Sequence, residues 1–62
     1  AVARKSVVTA RALRAGTVLT PDMLTIKRPA GGIEPDQLDA LIGRIVTTNI
    51  GRDELLTWDV IQ

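Results

Sequence analysis

The chain reads as a mainly β domain of short strands and single helical turns, built from two related halves. Three observations predict this. Its apolar residues come in brief β-branched or leucine-rich segments, Ser6–Ala10, Thr17–Leu19, Leu24–Ile26, Arg44–Thr48 and Leu55–Leu56, each of strand length and each bounded by turn residues. A Thr-Pro-Asp at Thr20 and a Thr-Trp-Asp at Thr57 each place a capping residue and a first-turn acid directly after such a segment. Finally, the chain repeats when displaced by 37 positions: Leu13 falls on Ile50, Val18 on Leu55, Leu19 on Leu56, Thr20 on Thr57, Asp22 on Asp59, Met23 on Val60 and Leu24 on Ile61. The same order of apolar strand, Thr, Asp and two apolar residues in both halves predicts an internal pseudo-twofold.

Taken in order, Ala1–Lys5 reads as the remnant of a linker and residues 6–62 as one domain. Ser6–Ala10 is the first strand, β-branched and short. Arg11–Ala15 has too few apolar residues for a buried helix, and Gly16 turns the chain into Thr17-Val18-Leu19. Thr20 then caps one turn with Pro21 at its first position, before Leu24-Thr25-Ile26 returns to extended backbone. Glu34-Pro35-Asp36-Gln37 starts a helix on the same plan. Leu38, Leu41 and Ile42 share one face of it, and Gly43 stops it, so the one real helix is expected near Pro35–Ile42. The expected core is Val7, Leu19, Met23, Leu24, Ile33, Leu38, Leu41, Ile45, Leu55 and Val60.

Composition excludes more than it assigns. A chain of 62 residues makes one small domain with no depth for an enclosed cavity. It has no Cys and no His, hence no disulfide, no thiolate metal site and no imidazole base, and no metal ligand set is assigned. The absence of Cys fits a reducing cytoplasm, the expected compartment. Eight Lys and Arg against seven Asp and Glu leave a net charge of +1 without a basic stripe, which argues against nucleic acid. No apolar run reaches the length of a membrane span. Ser6 is the only serine and has no base, while the acids Asp36, Asp39, Asp53 and Glu54 sit where first-turn and turn acids are ordinarily solvated, so no catalytic residue is assigned. Trp58, the only aromatic, reads as a packing or interface ring.

One stretch is left for chemistry. In Ile26-Lys27-Arg28-Pro29-Ala30-Gly31-Gly32-Ile33-Glu34-Pro35, two cations stand at a strand end before a proline and a diglycine. Pro29 biases Arg28 towards an extended backbone, which presents a guanidinium outward. An Arg so held can be offered to a ligand, although a Lys-Arg pair beside a turn is more commonly a solvated edge charge.

The order Ser6–Ala10, Ala15–Pro29, Gly32–Pro35, Leu41-Ile42-Gly43 and Asp53–Asp59 resembles the C-terminal domain of bacterial sialic acid synthases, over residues 4 to 61. The most specific pieces are Lys27-Arg28-Pro29 followed by Gly32-Ile33-Glu34-Pro35, and the closing Asp-Glu-Leu-Leu-Thr-Trp-Asp. The resemblance implies the antifreeze-like, or SAF, fold: a compact pretzel or β-clip of short strands and helical turns with pseudo-twofold symmetry. It implies a parent enzyme whose TIM barrel condenses phosphoenolpyruvate with N-acetylmannosamine, using a divalent metal held in the barrel and no cofactor in this domain. The domain itself is then not an enzyme, but caps the barrel of its partner in a domain-swapped homodimer, with Arg28 directed at the amino sugar. Alone it is expected to be a monomer. Relatives mostly carry Gly-x-Gly after the Pro, where this chain has Ala30-Gly31-Gly32. Two alternatives attach to the same resemblance: the cap of a legionaminic or pseudaminic acid synthase, and an ice-binding protein, against which Arg11, Arg14 and Asp22 in the first-turn region argue by their hydration.

Overall fold

Ser6–Thr9 forms strand β1 and Leu24–Lys27 strand β2, antiparallel, with Ser6 opposite Lys27 and Thr9 opposite Leu24. A computed structural model supplies these coordinates, and it describes residues 4–62. The part of the linker reading that concerns residues 1–3 lies outside the described residues. All four positions of β1 are buried, which suits its β-branched run, because both faces are covered by the rest of the chain. Beyond this pair the chain is held by isolated bridges, Val8 with Leu55, Leu13 with Ile50, Val18 with Ile45 and Val46 with Ile61. The segments expected as further strands therefore contribute one or two bridging residues each.

Single 3-10 turns at Pro21–Met23 and Trp58–Val60 stand at the two Thr-x-Asp positions. Another, Pro35–Gln37, runs directly into helix α1, Leu38–Leu41, which ends at an extended Ile42 followed by Gly43 at φ +86°. The helix thus falls where the apolar spacing predicts. The caps differ from expectation: neither Thr20 nor Thr57 caps a backbone N–H, and each hydroxyl instead donates to the carboxylate of Asp22 or Asp59.

The internal twofold is written in the hydrogen bonds. The displacement of 37 positions exchanges Val8 with Ile45 and Leu55 with Val18, turning one bridge into the other, and carries the pair Thr9 and Leu24 onto Val46 and Ile61. Leu13 and Ile50 exchange with each other, and their two mutual backbone bonds, 2.7 and 2.8 Å, lie at the pseudo-axis. The Ala10 N–H donates to Met23 and its counterpart, the Thr47 N–H, to Val60, both at 2.8 Å. One turn departs from the symmetry in an instructive way. In the first half the Thr17 N–H donates directly to the Arg14 carbonyl at 3.0 Å. In the second, the Thr9 hydroxyl stands between the equivalent groups, accepting from the Glu54 N–H at 3.0 Å and donating to the Gly51 carbonyl at 2.6 Å. Val46, the counterpart of Thr9, has no hydroxyl with which to do so.

The core comprises Val7, Val8, Leu13, Leu19, Leu24, Ile33, Leu41, Val46, Ile50 and Leu56. Five of the expected core residues are in it; Met23, Leu38 and Val60 pack against it half-buried. Ile45 and Leu55 are corrections, exposed at 36% and 37% while Val46 and Leu56 beside them are fully buried. Successive residues of an extended segment face opposite ways, so a choice off by one turns the wrong member inward.

Gly16 and Asp53, counterparts under the repeat, are both left-handed, at φ +89° and +61°. A Cβ built on Gly16 meets nothing within 4 Å, so its only obstacle is backbone conformation. Gly16→Ala is expected to cost about 1 kcal/mol and Gly16→Asn less, because Asn tolerates this region. Urea unfolding of the two variants checks this, and equal midpoints would show that the turn relaxes.

Candidate functional site

The antiparallel pairing of β2 with β1 carries the chain out to Lys27, and the following residues, Arg28–Gly31, are all exposed. Both ends of this span are tied down. At its start the Lys27 ammonium donates to Asp53 Oδ1 at 2.9 Å. At its end the Gly32 N–H donates to the Ser6 hydroxyl at 3.2 Å, and the Ile33 N–H and carbonyl bond to Leu56 and Val7 at 2.7 and 2.8 Å. Gly32 lies so close to the neighbouring backbone that a Cβ there would sit 2.6 Å from the Leu56 carbonyl oxygen. The span between is a four-residue loop on two fixed posts. The Arg28–Pro29 peptide within it is cis, and Gly31 is at φ +125°.

Arg28 takes part in none of the ion pairs found among the described residues, which join Arg4 to Glu34, Arg11 to Asp22, and Lys27 and Arg52 to Asp53. The two adjacent cations therefore have different situations: Lys27 is paired within the domain, and Arg28 stands exposed with its donors unengaged by a carboxylate. Of the acids that could have locked Arg28 in a bidentate pair, Asp22, Glu34 and Asp59 are engaged by Arg11, by Arg4 and by the Thr57 hydroxyl, and Asp36 takes part in no ion pair among the described residues.

Two open grooves flank the far limb of the loop. One is walled by Arg4, Lys5, Ala30, Gly31 and Asp36, and the other by Gly32, Gln37, Thr57 and the ring of Trp58. Arg28 lines neither of them. Trp58 is 44% exposed, with the Arg44 guanidinium 6.0 Å from its ring centroid, a cation–π arrangement at the surface rather than a core ring. No three Asp or Glu residues converge as a metal site among the described residues.

Two carboxyls are electrostatically marked. The hydrogen bond from Thr20, aided by Arg11, holds Asp22 below its ordinary value, and the hydrogen bond and charge of Lys27 do the same to Asp53. A lowered carboxyl adds stability at neutral pH that is lost as the pH falls through the folded value. For Asp53 that loss lies below 3.8, its ordinary value. Lys27→Met is expected to move the Asp53 carboxyl titration, followed by 13C NMR, upward towards that ordinary value; an unmoved titration would show that the pair does not persist in solution.

Arg28, the residue singled out from the sequence, is exposed and takes part in no ion pair among the described residues. Sequence reasoning missed Asp53, whose partner is 26 positions away. The one available signal was the repeat, which aligns this acid with a turn glycine.

Comparison with known proteins gives a consistent result. The model of the SAF domain family matches residues 4–62. An N,N'-diacetyllegionaminic acid synthase of Campylobacter jejuni is 36% identical over 55 residues, which cover 89% of this chain and 16% of that protein. An uncharacterized protein of Methanocaldococcus jannaschii is 33% identical over 57 residues, covering 92% of this chain and 17% of that protein. The chain thus spans about a sixth of the length of these curated relatives. Among solved structures, the solution structure of an antifreeze protein like domain in human N-acetylneuraminic acid phosphate synthase matches with a TM-score of 0.88 and 31% identity, over 92% of this chain and 73% of that one.

Proposed function

The chain belongs to the SAF domain family, and from that premise we propose that it is the substrate-capping domain of a synthase making a sialic or related nonulosonic acid. In this reading the domain covers the TIM-barrel active site of the partner subunit in a domain-swapped homodimer. Arg28 is its ligand contact, directed at the amino sugar that is condensed with phosphoenolpyruvate. The divalent metal belongs to the barrel.

The observation that carries the proposal is the contrast between the paired Lys27 and the exposed Arg28 on a loop anchored at both ends. A guanidinium that takes part in no ion pair among the described residues suits a ligand held by another surface. Its planar fork carries a permanent charge and donates to carbonyl and carboxylate oxygens, so it can orient an acylated sugar without taking part in bond making. Similarity to a legionaminic acid synthase and to a domain of a neuraminic acid phosphate synthase supports the enzyme class. The same observations weigh against ice binding. Arg11 and Asp22 form an exposed ion pair at 2.9 Å beside the first turn, and such strongly hydrated charges oppose the ordering of water on an ice-like lattice.

The test is Arg28→Ala in the full-length synthase that carries this domain. Loss of a charge-assisted hydrogen bond to substrate is expected to lower kcat/KM for the amino sugar by about tenfold to a hundredfold. The stability of the isolated domain should stay within about 0.5 kcal/mol, as for a surface residue. Unchanged sugar kinetics, or activity lost only in proportion to unfolding, would overturn the assignment.

A further inference from the structure

Asp53 occupies a position where its counterpart in the repeat is glycine. At both turns the residue is left-handed and its N–H donates to the facing strand, Gly16 to Val46 at 2.7 Å and Asp53 to Thr9 at 2.9 Å. The fold therefore asks for the same backbone twice. The first half meets it with the residue that adopts it freely, and the second with one whose Cβ is strained there. An aspartate that gives up this local ease has a distant partner instead, because its carboxylate reaches the last residue of β2, Lys27, at 2.9 Å. Arg52 approaches the same carboxylate only at 3.8 Å. The turn that carries Asp53 is itself fastened to β1 through the Thr9 hydroxyl, which binds both Gly51 and Glu54. A rigid turn thus extends a carboxylate to the base of the loop that begins at Arg28.

We infer that the Lys27–Asp53 pair is a brace that fixes the Arg28–Gly31 loop, which makes Asp53 a positioning residue for Arg28. Its functional consequence rests on the reading of Arg28 as a ligand contact; the bracing itself is a property of this chain. Magnitude separates the brace from a stability device. An exposed ion pair shifts an equilibrium constant by roughly fivefold at most. Against global unfolding that is minor, and left-handed strain at Asp53 opposes it. Set against the freedom of four exposed residues, whose other post is already fixed by Gly32, the same factor decides how much of the time the loop keeps one geometry.

The experiment uses Asp53→Gly, which removes the carboxylate while giving the turn the residue of its counterpart, so that the variant folds. In 15N relaxation of the 62-residue chain at low salt, the amides of Arg28, Ala30 and Gly31 are expected to lose order, with those of Val7 and Leu41 unchanged and Tm equal or higher. Lys27→Met should do the same, the double variant no more, and Lys27→Arg should restore order. Loop amides as ordered in Asp53→Gly as in the parent chain, or order lost equally in the core, would overturn the brace. In the full-length synthase, Asp53→Gly is expected to raise the amino-sugar KM about threefold to fivefold, with kcat within twofold and no further effect when Arg28 is already Ala. If Arg28→Ala leaves the sugar kinetics untouched, the ligand reading fails by that result, and the relaxation data decide on the brace independently.

Discussion

Leu41→Ala is expected to remove about 2–5 kcal/mol of stability, the range for a fully buried leucine whose cavity cannot collapse. The side chain has no exposed surface and sits in the cluster formed by Val7, Leu19, Ile33, Val46 and Leu56, where both halves of the repeat meet. At roughly 0.05–0.15 kcal/mol per residue, a domain of this size holds about 3–9 kcal/mol in all, so this one truncation takes about half. Helix α1 has only four residues and supplies little stability of its own, which leaves Leu41 as its main attachment to the core. Leu38→Ala, on the same face but half-buried, should cost distinctly less. Urea unfolding of both variants decides the matter: equal losses would mean that the helix face is not oriented as described.

The parts of the fold that were legible in the sequence are those where a residue type has one physical use. A threonine or acid with an aspartate two residues on starts a turn, reinforced by proline at Pro21 and Pro35 but not at Trp58, and this marked all three turns correctly. The repeat was legible because the two Thr-x-Asp turns and their flanking apolar residues must satisfy the same geometry twice. The parity of the bridging segments was not. Ile45-Val46 and Leu55-Leu56 are each two apolar residues in a row, so alternation offers no choice between them. The decision falls to packing: the Val46 and Leu56 backbones bond towards Thr17 and Val7, and their side chains turn inward. For the candidate site, the residues around Arg28 taken alone read as a solvated edge pair, and it is the resemblance of Lys27-Arg28-Pro29 to a known family that singles Arg28 out. Asp53 could not be singled out, because its value depends on a backbone angle and on a lysine far away in sequence. An acid in a turn looks the same whether it faces water or holds a loop.

Gly32→Ala is the substitution expected to disturb the loop most severely, and its cost has a different origin from that at Gly16. The added Cβ would lie 2.6 Å from the Leu56 carbonyl oxygen, 3.3 Å from Leu55 Cβ and 3.4 Å from Ser6 Cβ. The first of these contacts is to backbone, which cannot rotate away as a flexible side chain would. The same carbonyl accepts the Ile33 N–H at 2.7 Å, and the Ile33 carbonyl in turn accepts the Val7 N–H, so a displacement large enough to relieve the clash stretches the bonds that join three segments. Overpacking of this kind costs about 1–3 kcal/mol, with about 1 kcal/mol more for a weakened hydrogen bond. Gly16→Ala, with open space around it, should lose only the conformational part. Hydrogen exchange tells the two apart: Gly32→Ala should speed exchange at the Val7 and Ile33 amides about tenfold or more beyond any global change, whereas Gly16→Ala should leave those amides tracking global stability. If Gly32→Ala instead proved no worse than Gly16→Ala, the loop would have room to lift from Leu56. The far post assigned to it would then not be fixed.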